Sequence, residues 1–369
     1  MPLCSYPFDS FFLNTNGEVK FCCASDVTLG NINEEPLEQI LNNEKSNDIR
    51  AAMFKGEWHE KNCSYCKKIE AVGGNSQRKP PVIKVNTPEE FTLTNFDVRW
   101  TNTCNLSCVY CNSQFSSKWA SLSKEEQSTP NKDAAEINVF DFITTNLSTI
   151  ENINLLGGEP LLQKQNLKLL DLLPDKQYYV LTNLTNDVKT NLLAQKMISN
   201  PNVTWGVSFE TIGDRFEYVR HGASWKVFEE NLRIIYEQTG KKLNAHPVYF
   251  LFSSLRLIDY CDYVLNSEYF ANVYWQCLTT PASLSIFDQH PEIKTIALQQ
   301  LDECLEKYSG NPNVESLQSF RKNLLNIDKE SSFVNFNSWT AGVEYKMLNK
   351  STRSYDLWPE LLRVYGEYT

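Results

Sequence analysis

An α/β fold is predicted by two features of this sequence: strand-like segments spaced along residues 91–278, and amphipathic helical stretches lying between them. The strand-like segments are FTLTNFDVRWT (91–101), NINLLG (152–157), YYVLTN (178–183), VTWGVSFE (203–210), HPVYFLF (246–252) and NVYWQCL (272–278). Between them, in 224–240, Phe228, Leu232, Ile235 and Tyr236 recur at the spacing of a helix that covers a sheet. Six β-then-α units imply a parallel sheet with right-handed crossovers, as an open doubly wound sheet or a partial barrel. In both architectures functional groups gather at the carboxyl ends of the strands.

The flanks differ in texture. Residues 1–75 hold five cysteines, and FFLNT and VKFCC around Asn16-Gly17 read as a hairpin. PLEQILNNEKSNDIRAAMF continues with a helical pattern. Gly73–Pro88 is rich in Gly, Pro and polar residues, which reads as a linker. The predicted organisation is therefore a cysteine-rich module at 1–75, a linker at 76–90, the α/β domain at 91–285, and a helical, then irregular extension at 286–369.

A formal net charge of −10 argues against a broad nucleic-acid or anionic-membrane footprint. MPLCSYPFDS lacks the basic start of a signal peptide, and no apolar run reaches the ~20 residues of a spanning helix. The expectation is a cytoplasmic protein with neither nucleic acid nor membrane as partner. Eleven cysteines are too many to pair completely, and cytosolic thiols stay reduced. Eight of the eleven fall within the first 111 residues, in tight groups that point to metal. The four histidines are scattered, and no hydrolytic triad order, Walker loop or dinucleotide fingerprint is evident.

The first α/β strand runs into Thr103-Cys104-Asn105-Leu106-Ser107-Cys108-Val109-Tyr110-Cys111-Asn112. Three cysteines at C-x3-C-x2-C can wrap three corners of a cuboidal 4Fe–4S cluster and leave the fourth iron open for a substrate. A structural zinc site normally wants four ligands, and no fourth lies close by in the sequence. This loop, with Tyr110 in the aromatic place of C-x3-C-x-aromatic-C, resembles the radical SAM superfamily, and the resemblance spans about 91–285.

That resemblance implies a partial (β/α)6 barrel. It also implies that the open iron chelates S-adenosylmethionine and that an electron from the cluster splits the sulfonium to a 5′-deoxyadenosyl radical. Gly157-Gly158-Glu159-Pro160 matches the family's G-G-E-P motif, in which glycine admits a ligand close to the backbone and the carboxylate holds the methionyl ammonium. Ser208 and Arg220 have the separation of a pair that grips the methionine carboxylate in two-cluster relatives, a planar task suited to Arg. Asn183 resembles the polar residue that contacts the ribose or methionyl part. Glu210, also at a strand end, is a candidate to line the pocket, although solvation is the commoner fate of a glutamate and the expectation here.

Cys4, Gly17-x-Val19-x-x-Cys22, LGNI, and Cys63-x2-Cys66 resemble the SPASM and twitch modules of the same superfamily, which hold an auxiliary 4Fe–4S cluster. The usual module follows the barrel, whereas here it precedes it. Cys4, Cys22, Cys63 and Cys66 would be the ligands, with Cys23 a spare buried thiol. Four thiolates also suit a zinc ribbon, and spacing alone leaves both readings open.

The implied function is hydrogen abstraction from a peptide or small-molecule substrate, supplied with electrons by an external donor such as flavodoxin or ferredoxin. The alternative is a non-catalytic protein whose cysteines hold structural zinc or electron-carrier clusters. Cys277, near the carboxyl end of the sixth strand, is a candidate hydrogen-atom donor. The bland alternative for it is a buried structural thiol, and Cys261 and Cys304 on predicted helices have weaker claims.

Overall fold

The computed structural model describes residues 3–71, 76–79, 85–123, 131–326, 336, 339–348 and 352–366. The chain divides into two compact units: Met1–Thr103 with Glu126–Val180, and Cys104–Glu125 with Leu181–Thr369. The fold is α/β with largely parallel strand pairing, as expected. The expected linker lies partly outside the described residues.

In the first unit the N-terminal hairpin forms as predicted. Strands β1 (Ser10–Leu13) and β2 (Glu18–Lys20) pair antiparallel around Gly17, whose φ of +83° is the left-handed turn that glycine tolerates. β2 continues to β3 (Gly30–Asn31). The sequence did not reveal that β1 also pairs in parallel with β4 (Asn95–Val98), Ser10 opposite Asn95 and Leu13 opposite Val98. β4 pairs with β5 (Asn152–Leu155), and β5 with β6 (Gln177–Thr182), all parallel.

β1 lies between β2 and β4 in the sheet, and all four of its residues are buried. Phe11 stacks on Phe96 with ring centroids 5.3 Å apart, and Phe142 of the helix Asp133–Thr145 meets Phe11 edge-on. Each such ring stabilises the fold by roughly 1.5–3 kcal/mol through burial. The alternate residues of β4 and β5 are polar, Asn152 exposed and the other three half-buried: Asn152 donates to Asn95 at 2.8 Å and Asn154 to Asp97 at 2.5 Å. One face of these strands is thus apolar and helix-covered, and the other carries amides and a carboxylate.

In the second unit β7 (Val203–Val207), β8 (Leu243–Ala245) and β10 (Phe270–Val273) are parallel neighbours. The helix Trp225–Thr239 buries Phe228, Leu232 and Ile235 and ends at Gly240 in the left-handed conformation. The fifth predicted strand is shortened and the sixth is divided. HPVYFLF contributes only β9 (Val248–Tyr249), after β8 has ended ahead of it, and NVYWQCL spans the end of β10 and β11 (Gln276–Cys277). Pro247 separates β8 from β9 and has no N–H to give a ladder, and Leu251–Ser254 turns helical. β9 and β11 form their own parallel pair.

Candidate active site

The cysteine loop Cys104–Cys111 is fixed by hydrogen bonds to its own flanks and to the segment after the helix Gly213–Val219. Ser107 N–H donates to the His221 carbonyl at 3.0 Å and Val109 N–H to the Val219 carbonyl at 2.9 Å. Trp119 Nε1–H donates to the Cys108 carbonyl at 2.7 Å, and Ser116 Oγ–H to the Leu106 carbonyl at 2.6 Å. Leu106 and Val109 are buried, which anchors the loop between its thiols. Cys108 is buried, while Cys104 and Cys111 are half-buried.

Polar N–H groups stand beside the sulfurs. Asn183 Nδ2 lies 3.8 Å from Cys104 Sγ and Arg220 Nη1 lies 4.0 Å from Cys108 Sγ. Burial pushes the Cys108 thiol well up, and the Arg220 charge opposes that rise. Three thiols within eight residues, flanked by donors that favour thiolate, are a donor set that fits an iron–sulfur cluster. Among the described residues, no three His, Cys, Asp or Glu side chains converge on a point that could hold a single ion.

Glu210 is not solvated, contrary to the sequence expectation. It is 1% exposed because Arg220 and Tyr110 satisfy its carboxylate. Arg220 Nε donates to Glu210 Oε2 at 3.1 Å, and its Nη2 donates to Glu210 Oε1 and to the Tyr110 hydroxyl. The Tyr110 hydroxyl donates in turn to Glu210 Oε1 at 2.7 Å. Burial works against the Arg220 charge, but Glu210 outweighs it and holds the guanidinium above its usual range. Ser208 is half-buried just beyond β7, its N–H donating to the Thr182 carbonyl at 3.0 Å.

Gly158 and Glu159 belong to the first unit. A Cβ on Gly158 would lie 2.5 Å from the Thr103 carbonyl oxygen and 2.6 Å from that of Asn102, so the close backbone approach here is to the strand end preceding Cys104. Glu159 is fully buried; its N–H donates to Thr103 O at 2.8 Å, and its carboxylate caps the turn Pro160–Leu162 through Leu161 N–H at 3.1 Å.

Cys4, Cys22, Cys63 and Cys66 line one cavity in the first unit, together with Tyr6 and Trp58. Cys63 and Cys66 meet there because Cys63 precedes the helix Ser64–Ala71, which carries Cys66 one turn on. Burial pushes the Cys4 thiol up to about 11. Cys23 was expected to be buried, but it is exposed and its thiol donates to Gln77 Oε1 at 3.0 Å. The chain bends and turns after β2, and there Cys22 faces the shared cavity while neighbouring Cys23 meets Gln77.

Cys277 is half-buried in β11 opposite Tyr249, and burial pushes its thiol up to about 12. Cys261 and Cys304 are buried together, their sulfurs 3.0 Å apart between the helices Leu257–Asn266 and Pro291–Lys307. Sequence reasoning missed the Tyr110–Glu210 contact. The strand-end position of Glu210, ten residues before an arginine, was its only signal.

The family model of the Radical SAM superfamily matches residues 98–250. Residues 98–250 are thus a radical SAM domain. The SPASM model, described as an iron–sulfur cluster-binding domain, matches residues 4–68, so that module does precede the radical SAM domain. The cofactors of this radical SAM protein are accordingly a 4Fe–4S cluster with S-adenosylmethionine, and a further iron–sulfur cluster in the SPASM region.

No curated protein matches the chain. Among solved structures it is similar to native anSMEcpe with bound AdoMet, at 16% identity and TM-score 0.44, over 60% of this chain and 62% of that one. It is also similar to Streptococcus suis SuiB bound to S-adenosylmethionine, at 14% identity and TM-score 0.40, over 73% and 65%. A third is the FeFe-hydrogenase maturase HydG from Carboxydothermus hydrogenoformans, at 15% identity and TM-score 0.37, over 74% and 66%. The matched part spans less than two thirds of each of these proteins. No helix among the described residues is long and apolar enough to cross a membrane.

Proposed function

We propose that this protein reductively cleaves S-adenosylmethionine and uses the resulting 5′-deoxyadenosyl radical to abstract hydrogen from a peptide or small-molecule substrate. The observation that carries this reading is the cysteine loop itself: three thiols on one loop, with Asn183 and Arg220 N–H groups 3.8 and 4.0 Å from two of the sulfurs. Cys104, Cys108 and Cys111 would hold the cluster. When bound, that cluster supplies the electron that splits the sulfonium.

The chain's own residues do the rest. Asn183, Ser208 and Arg220 would orient the methionyl and ribose parts of S-adenosylmethionine. Arg220 presents its Nη1 edge for this, because its Nε edge already holds Glu210. Cys4, Cys22, Cys63 and Cys66 would hold the SPASM cluster, which would supply an electron acceptor or a substrate ligand. Cys277 would donate hydrogen to a substrate radical; a Cys277→Ala protein that cleaves S-adenosylmethionine and forms product normally would end that assignment.

The deciding experiment is anaerobic reconstitution followed by reduction with dithionite or a flavodoxin system in the presence of S-adenosylmethionine. Formation of 5′-deoxyadenosine is expected, with about eight irons per chain for two four-iron clusters. Zinc in place of iron, with no 5′-deoxyadenosine, would favour the structural-metal alternative.

A further inference from the structure

Tyr110 sits inside the cysteine loop, yet its hydroxyl is engaged with Glu210 and Arg220 rather than with the loop. We infer that Glu210 and Tyr110 are positioning residues that aim Arg220 at the Cys108 sulfur, so that this charge sets how readily the three-cysteine cluster takes up an electron. The inference rests on the radical SAM reading and adds to it a role for Arg220 separate from ligand binding.

The guanidinium is a rigid planar fork, so fixing two of its nitrogens fixes the third. Nε and Nη2 are held by both oxygens of Glu210, and Nη2 is held again by Tyr110. Nη1 is then left 4.0 Å from Cys108 Sγ. Tyr110 is itself held by the edge of Phe250, ring centroids 5.2 Å apart. The side chains of Arg220 and Glu210 are 5% and 0% exposed, so water screens neither charge.

One-electron reduction makes a cluster more negative without forming or breaking a bond. A fixed positive charge beside a ligating sulfur favours the reduced form, and the carboxylate behind it moderates that effect. Removing the arginine's charge, and removing only the charge of Glu210 while the Gln amide oxygen and Tyr110 still hold Arg220, therefore move the reduction equilibrium in opposite directions. A merely structural role for the pair would not produce opposite signs.

The test is a dithionite titration, followed by electron paramagnetic resonance, of the reconstituted full chain and its Arg220→Gln, Arg220→Lys and Glu210→Gln variants. The relevant signal is the one perturbed when S-adenosylmethionine is added. Arg220→Gln is expected to make reduction about tenfold less favourable, a fall of about 59 mV for a one-electron couple. Glu210→Gln should raise the midpoint, and Arg220→Lys should stay near the parent. A loaded Arg220→Gln protein with the parent midpoint would overturn the inference. If that variant fails to load, a Glu210→Gln midpoint at or below the parent's would do the same. A parent chain with no signal responsive to S-adenosylmethionine would overturn the radical SAM reading itself, which is a separate outcome.

Discussion

Glu344 and Tyr218, 126 residues apart, share a buried hydrogen bond of 2.5 Å from the tyrosine hydroxyl to the carboxylate. The same carboxylate accepts Ser354 N–H at 2.5 Å, and Trp358 packs its ring 5.4 Å from that of Tyr218. Tyr218 lies on the helix that ends at Arg220, so the C-terminal extension braces the segment carrying that arginine. The extension gave no readable motif because its contribution is made by single residues meeting a distant helix.

Glu344→Ala should therefore destabilise the protein by about 3 kcal/mol, since it leaves the Tyr218 hydroxyl and Ser354 N–H buried without their acceptor. Denaturant unfolding measures this. Affinity for S-adenosylmethionine should fall as well, and an unchanged unfolding midpoint would refute the brace.

Changing Cys104, Cys108 and Cys111 together to Ala should abolish 5′-deoxyadenosine formation and leave the SPASM cluster loaded. Continued turnover by that triple variant would refute the assignment of the loop.

In the N-terminal module, Cys22→Ala should lose roughly the four irons of one cluster, whereas Cys23→Ala should keep them. The reason is that Cys22 lines the shared cavity while Cys23 points to Gln77. Iron content and Mössbauer spectra of the two variants decide the matter, and loss in Cys23→Ala alone would reverse the choice.

Burial lowers the His246 pKa from 6.5 to about 4. Between those values the unfolded chain binds the proton that the folded chain refuses, so this residue makes stability fall as pH drops from about 6.5 to about 4. The full effect approaches ~3 kcal/mol at about 1.4 kcal/mol per unit. His246→Gln should flatten that part of the pH–stability curve, and superimposable curves would exclude the effect.

Much of this protein was legible in its sequence because the signals were local. The Cys104–Cys111 spacing, the strand before it and the helix Trp225–Thr239 each depend on neighbours a few residues away, and strand and helix periodicities express exactly such neighbours. Parallel pairing of β1 with β4 was not legible, because four apolar-rich residues can be buried by any partner. Shortening of the fifth predicted strand was partly signalled by Pro247, but periodicity ran through it. Burial of Glu210 was decided only in three dimensions: a carboxylate stays out of water when an arginine and a tyrosine hydroxyl meet both its oxygens. Glu210 lies three residues past the end of β7, and the path of the chain through the helix Gly213–Val219 brings Arg220 back to it.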